Sequence, residues 1–319
     1  MKIDKKFLDI INDTDCWHAI QLAEAFSTDI STEETPLVID FHNGEEIIKI
    51  SPDKEKAREI YQIILDKAIS ISNIIDIADS ILNNLKDKKW VVKIYKQAIQ
   101  QANTTSDILR LPTAIANEYG EFKDLKWAKE ILLVALDLCV SFDDYNRLSD
   151  TIFLALNDTK WAIEVLTIGE KYARTSFDFK ELGASYCGGY NMDPVDMEKA
   201  RKFFKIAISK TQAIIDLYEI TRHICKDLKD KEWAKELCKE QIASSKGFNR
   251  PDSYTLVNIA NFANIDLNDR KFAEEIFIQA IDESKNTPDE IDYIIESVED
   301  EWGYNDKELS QKLKKKYKK

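Results

Sequence analysis

Three histidines, five cysteines and a few adjacent acid pairs are the groups in this 319-residue chain equipped to do chemistry. His18, His42 and His223 lie far apart, and none stands in a HxxxH or HExxH spacing. Two imidazoles need such a spacing to share a zinc ion on one helix face. Cys16, Cys139, Cys187, Cys225 and Cys238 form no CxxC pair. An odd number of thiols at helix-like positions reads as buried cysteines in a reducing cytoplasm rather than a disulfide framework. Cys187 precedes Gly188-Gly189, but no histidine near it in sequence could draw off its proton, so it reads as a helix end. Glu45-Glu46 and Asp143-Asp144 lack a companion that would separate their pKa values, and read as caps and solvated faces. Neither GxGxxG nor GxxxxGK[ST] occurs, so no phosphate cradle is encoded. The expectation is a chain that is not an enzyme and carries no catalytic residue, cofactor or metal.

The elements that would position any site follow from composition and from a repeat. With 8 Gly and 6 Pro there is little material for tight turns, while 44% hydrophobic and 32% charged residues suit long amphipathic helices. A formal charge of -13 disfavours nucleic acid, because phosphate binding needs a contiguous basic surface. The lysine-rich tail at 312–319 is a local exception, read as a solvated helix end, with a tethering patch as the alternative. No run approaches the roughly 20 apolar residues that cross a bilayer. The opening MKIDKKFLDIINDTD has no apolar segment or cleavage site after its basic residues, so neither a secretory signal nor membrane insertion is expected.

Trp90, Trp127, Trp161 and Trp233 stand at one place in a repeated frame, and Phe272 fills that place once more. The residue after the aromatic marks the period: Ala57, Val91, Ala128, Ala162, Ala200, Ala234 and Ala273, separated by 34, 37, 34, 38, 34 and 39 residues. Four residues on come Tyr61, Tyr95, Leu132, Leu166, Phe204, Cys238 and Phe277; seven on come Ile64, Ala98, Ala135, Gly169, Ala207, Gln241 and Ala280. This spacing places all three on one helix face, with small residues where a neighbour must approach. Gln241 departs from the pattern and reads as a looser contact. A second helix series carries the pairs Ile77-Ala78, Ile115-Ala116, Leu148-Ser149, Leu182-Gly183, Ile220-Thr221, Ile259-Ala260 and Ile294-Ile295. Larger side chains such as Tyr119, Ile152 and Tyr186 follow these pairs. Ser106-Asp107, Asp143-Asp144, Pro251-Asp252-Ser253 and Pro288-Asp289 supply start signals for this series. Each unit is therefore a helix A, a short turn and a helix B. Two helices cannot hide both apolar faces, so successive pairs must stack.

The run Leu182-Gly183-x-x-Tyr186-x-x-Gly189, then Ala200, Phe203-Phe204 and Ala207, resembles the tetratricopeptide and Sel1-like repeat families. The likeness covers about residues 52–318. Elsewhere the first-helix glycine is replaced by Ala, Ser or Thr, and the spacing departs from a strict 34-residue period. The resemblance implies an all-α fold: a right-handed α-α superhelical solenoid of about seven to eight helical pairs, whose A helices line the concave surface. An armadillo or HEAT-like stack is the alternative. Before it, residues 1–51 read as a short helical pair, with Trp17 and Ala19 echoing the repeat, plus a β-hairpin or extended arm turning at Asn43-Gly44. That arm covers the first helix or offers an edge to a partner or to weak self-association. Residues 52–304 form the solenoid, and 305–319 a capping helix with a basic tail.

No partner is named by such a scaffold. Arg110, Asn117, Asn146, Asp150, Arg222 and Asn261 are the A-helix positions expected to bind one, a peptide or protein held in the groove with the arginines meeting carboxylates. Two expectations follow: an interaction scaffold or adaptor, and an immunity protein or inhibitor whose acidic surface covers a basic toxin or enzyme. A regulatory subunit or small-ligand-binding repeat protein is a third. The tryptophans read as structural anchors rather than stacking platforms.

Overall fold

The computed structural model describes residues 5–13, 15–27, 35–41, 44–50, 52–117, 121–188, 196–212, 214–243, 252–284, 287–300 and 304–317. His42, Asn43, Tyr119, Gly189, Pro251, Lys318 and Lys319, all used above, lie outside them. Helices dominate. The order is α1 (Lys5–Asp13), α2 (Cys16–Ser27), strands β1 (Thr35–Phe41) and β2 (Gly44–Ile50), α3 (Lys54–Lys67), α4 (Ile71–Leu85), α5 (Lys88–Gln101), α6 (Thr105–Ile108), α7 (Arg110–Ala116) and α8 (Leu125–Asp137). There follow α9 (Phe142–Leu156), α10 (Thr159–Gly169), a 3-10 turn (Glu170–Tyr172), α11 (Ser176–Tyr186), α12 (Met197–Lys210), α13 (Ile214–Lys226), α14 (Lys231–Ala243), α15 (Ser253–Ile265), α16 (Arg270–Glu283), α17 (Pro288–Glu299) and α18 (Lys307–Tyr317). The chain divides into two compact units, residues 1–140 with 147–165, and 141–146 with 166–319.

Within each unit the helices pack as antiparallel neighbours in sequence order: α2 on α3, α4 on α5, α7 on α8, then α11 on α12, α13 on α14, α15 on α16 and α17 on α18. The repeat frame is the core. Ala57, Val91, Ala128, Ala162, Ala200, Ala234 and Ala273 are all buried, as are the residues four and seven positions on. Small residues sit where backbones come close. A Cβ on Gly183 would stand 2.7 Å from the Phe204 ring, so α11 meets α12 only because that side chain is absent. Gln241 overturns the reading of a loose contact. It is 1% exposed, and its Nε2 donates to Thr221 Oγ1 at 2.9 Å, so the polar side chain is kept in the core by a bond to α13.

Caps differ between the two helix series. B helices open on an aspartate whose Oδ1 accepts the amide three residues on: Asp53 from Lys56, Asp87 from Trp90, Asp124 from Trp127, Asp158 from Trp161, Asp196 from Lys199, Asp230 from Trp233, Asp269 from Phe272 and Asp306 from Leu309. The aromatic thus recurs because it is the third residue after a cap. In six turns the residue before that aspartate is left-handed: Lys86, Lys123, Asn157, Lys229, Asn268 and Asn305, with φ between 52° and 57°. Three A helices, α6, α9 and α11, instead open on Ser or Thr with a reciprocal acid. Thr175 Oγ1 accepts from Asp178 N and Asp178 Oδ2 from Thr175 N. Likewise Asp107 accepts from Thr104 N and Asp144 from Ser141 N, so these starts lie earlier than Ser106-Asp107 and Asp143-Asp144 alone suggest. Asp252 caps α15, and Pro288 opens α17.

The two N-terminal helices expected from the sequence are present as α1 and α2, but α2 has a second role. Helix α2 packs chiefly on α3, through Leu22, Ala23 and Phe26, and Asp53 N donates to Phe26 O at 2.7 Å. It serves as the A helix of the first pair, and Trp17, 61% exposed, is no counterpart of the B-helix aromatics. The reason is position: Trp17 follows Cys16 in the first turn of α2 and faces away from the apolar stripe at 22, 23 and 26. The chain between α2 and α3 runs as the antiparallel ladder β1–β2, with Phe41 opposite Gly44 and Thr35 opposite Ile50.

Candidate interaction surface

The six expected partner-binding residues divide equally between the two compact units: Arg110, Asn117 and Asp150 in one, Asn146, Arg222 and Asn261 in the other. Arg110, at the start of α7, reaches across to α4. Its Nη1 lies 2.7 Å from Asp76 and its Nη2 3.7 Å from Asp79. Asp79 also accepts from Tyr95 OH, and burial, more than these partners, moves its carboxyl, pushing its pKa up. Asn117 closes α7 as an exposed C-cap. Asp150 is partly buried on α9. Arg222 lies over the Tyr218 ring, with Glu219 3.5 Å from its Nη1. Asn261 is partly buried, and its Oδ1 has no hydrogen-bond partner among the described residues. Asn146 is a correction. It is 7% exposed, and its Oδ1 accepts from Ser185 Oγ at 3.0 Å, so it ties α9 to α11 instead of facing a groove.

The second unit presents an apolar row that the polar set does not include. Phe177, Ile215 and Tyr254 are 59%, 51% and 58% exposed. They stand on α11, α13 and α15, which pack side by side, each five residues before its packing pair at Leu182, Ile220 and Ile259. Lys180 Nζ sits 4.6 Å from the Phe177 ring centroid, and Tyr254 stacks on Tyr293 of α17 at 6.0 Å. Sequence reasoning passed over this row because it looked for hydrogen-bonding groups. The available signal was a large apolar residue at one fixed offset in three consecutive A helices, outside the buried stripe.

The B helices carry a recurring clamp. After four of the small markers the next residue reaches the aromatic of the next B helix. Arg58 Cζ is 4.8 Å from the Trp90 ring centroid, Lys129 Nζ 5.2 Å from Trp161, Arg201 Cζ 5.1 Å from Trp233 and Lys235 Nζ 5.4 Å from Phe272. Arg58, Arg201 and Lys235 also pair with the cap aspartate of that helix, Asp87, Asp230 and Asp269. One cation therefore meets a ring face and a carboxylate together. These contacts cover Trp90, Trp161 and Trp233, all partly buried.

The described histidines pair with nearby acids, and three of the buried thiols are shifted towards their neutral form. His18 Nδ1 and His223 Nδ1 each lie 2.7 Å from a carboxylate of their own helix region, Asp15 and Asp227. Cys187 is pushed up to about 12, first by burial and then by the Asp227 carboxylate, the opposite of thiolate activation. Burial likewise raises Cys238 to about 12 and lifts Cys225. Among the described residues no group of three or more His, Cys, Asp or Glu is disposed to hold a metal ion. No described helix is long and apolar enough to cross a membrane. Neither a protein-family model nor a curated protein sequence matches this chain.

Proposed function

We propose that this chain is a non-catalytic interaction protein, built of tetratricopeptide-like or Sel1-like helix pairs, that holds a peptide or protein partner on its A-helix face. The observation that carries this reading is the row Phe177, Ile215 and Tyr254. Three large apolar side chains in register on adjacent helices expose surface that folding does not use, and such rows are what extended or helical ligands bury. Arg222 and Asn261, on the same two later helices, supply polar groups beside the row. Buried free thiols suit a reducing compartment such as the cytoplasm.

Within this reading a basic partner is favoured, because the chain carries a net charge of -13. That is the charge relation an inhibitor or immunity protein has with a cationic toxin or enzyme. The test is quantitative recovery of partners from the native cell extract with the wild-type chain and with Phe177→Glu/Tyr254→Glu, both sites being solvent-facing. Unaltered circular dichroism with loss of a partner, and weaker binding of that partner at higher salt, is the expected result. Full recovery of every partner by the folded double variant would remove the A-helix face from consideration.

A further inference from the structure

The clamp on the B helices has one vacancy. Where the marker is followed by Arg58, Lys129, Arg201 or Lys235, the next B helix bears Trp90, Trp161, Trp233 or Phe272 to receive it. Where it is followed by Ile163 or Glu274, the receiving position holds Lys199 or Leu309, and no aromatic is kept. Val92 breaks the correspondence: it supplies no cation, yet Trp127 and its cap Asp124 are present. Among the described residues no cation lies over Trp127 and none bridges Asp124, whose Oδ1 accepts from Trp127 N at 3.0 Å. A groove of about 400 Å³ opens at this place, lined by Lys88, Val92, Lys96, Phe122, Asp124, Lys126, Trp127 and Glu130.

We infer that this groove receives an arginine side chain from the surface of another protein. The structure supplies the template for the fit. A guanidinium already occupies the equivalent position against Trp90 and Asp87, and again against Trp233 and Asp230. A weakly hydrated planar cation that stacks on indole and forks to a carboxylate suits the site better than a compact ammonium. Of the three lysines, Lys88 is committed, its ammonium lying 5.0 Å from the Phe122 ring centroid and donating to Glu121 O. Asp124 and Glu130 are the two acids of the lining, beside Lys96 and Lys126. A basic partner also matches the charge of -13. This site lies on B helices of the other compact unit and does not depend on the A-helix row.

The test uses the full chain labelled with 15N-tryptophan, the Trp127 indole resonance being identified by Trp127→Phe. It is titrated with acetyl-Gly-Arg-Gly-amide, with the Gln analogue and with ATP. The Arg peptide is expected to move the Trp127 resonance while the Gln peptide does not. In Val92→Arg, which rebuilds the internal clamp, the resonance should already stand at the shifted position and peptide affinity should fall at least fivefold, the loss of about one cation–π contact. Val92→Lys, the pairing used at Lys129 and Lys235, serves if Val92→Arg does not fold. A resonance that stays still with the Arg peptide, or moves with it undiminished in the folded Val92 variant, overturns the inference. Movement with ATP alone overturns it too, assigning the three lysines to an anionic ligand.

Discussion

Lys86, Lys123 and Lys229 adopt a left-handed backbone in the turn before a cap aspartate, where a Cβ crowds the following carbonyl. Asn157, Asn268 and Asn305 fill the same place in other turns. Asparagine tolerates this region better, so Lys229→Asn is expected to raise stability by about 0.5–1 kcal/mol, read as a higher urea midpoint with unchanged slope. The tryptophans were visible in the sequence at once, and their structural role was legible. That Trp90, Trp161 and Trp233 each lie under a cation from the preceding pair was not, because the partner stands about thirty residues earlier in the chain and only stacking brings it near. Arg201→Ala and Trp233→Leu therefore act on one contact. A double-mutant cycle in thermal or urea unfolding should show a coupling of about 0.5–1 kcal/mol, modest because the guanidinium is still wetted by solvent.

At the scale of the element, eight B helices share one cap chemistry, and several of those caps titrate unusually. Asp87, Asp230 and Asp306 are held below the usual carboxylate range first by the amide three residues on, and Asp269 first by Lys235. A depressed folded value means the carboxylate is favoured in the folded state. The stability it contributes is complete above the unfolded value of about 3.9 and disappears as pH falls through the folded value. Melting temperature is thus expected to drop steeply below about pH 4. In Asp230→Asn, which keeps a capping oxygen but cannot titrate, that drop should be shallower; an identical acid limb would contradict the assignment. Helix pairing also depends on close approach. Gly183→Ala puts a methyl 2.7 Å from the Phe204 ring and should destabilise the second unit by about 1–3 kcal/mol in urea unfolding. Apolar periodicity exposed the paired helices clearly, since one buried face repeats through every unit. The broken helix at Leu109, between α6 and α7, and the role of α2 as partner to α3 were not legible. The first coincides with Pro112, whose missing amide leaves Ile108 O without its helical donor; the second is settled by packing between segments distant in sequence.

For the whole molecule, the sequence reading placed recognition on polar A-helix residues, and the structure distributes those over two units. Asn146 was misjudged because an asparagine near a helix surface looks solvated until its neighbour, here Ser185, is known. The apolar row was missed because three exposed hydrophobics, each innocuous singly, acquire meaning only when adjacent helices place them together. The proposed function requires that a partner sits on this row. Hydrogen–deuterium exchange of the chain, free and in complex with the partner recovered from native extract, tests it most directly. The account predicts slowed exchange in residues 176–186, 214–226 and 253–265 on binding. A partner that binds tightly while leaving those three segments unprotected, and slows exchange elsewhere, would contradict it.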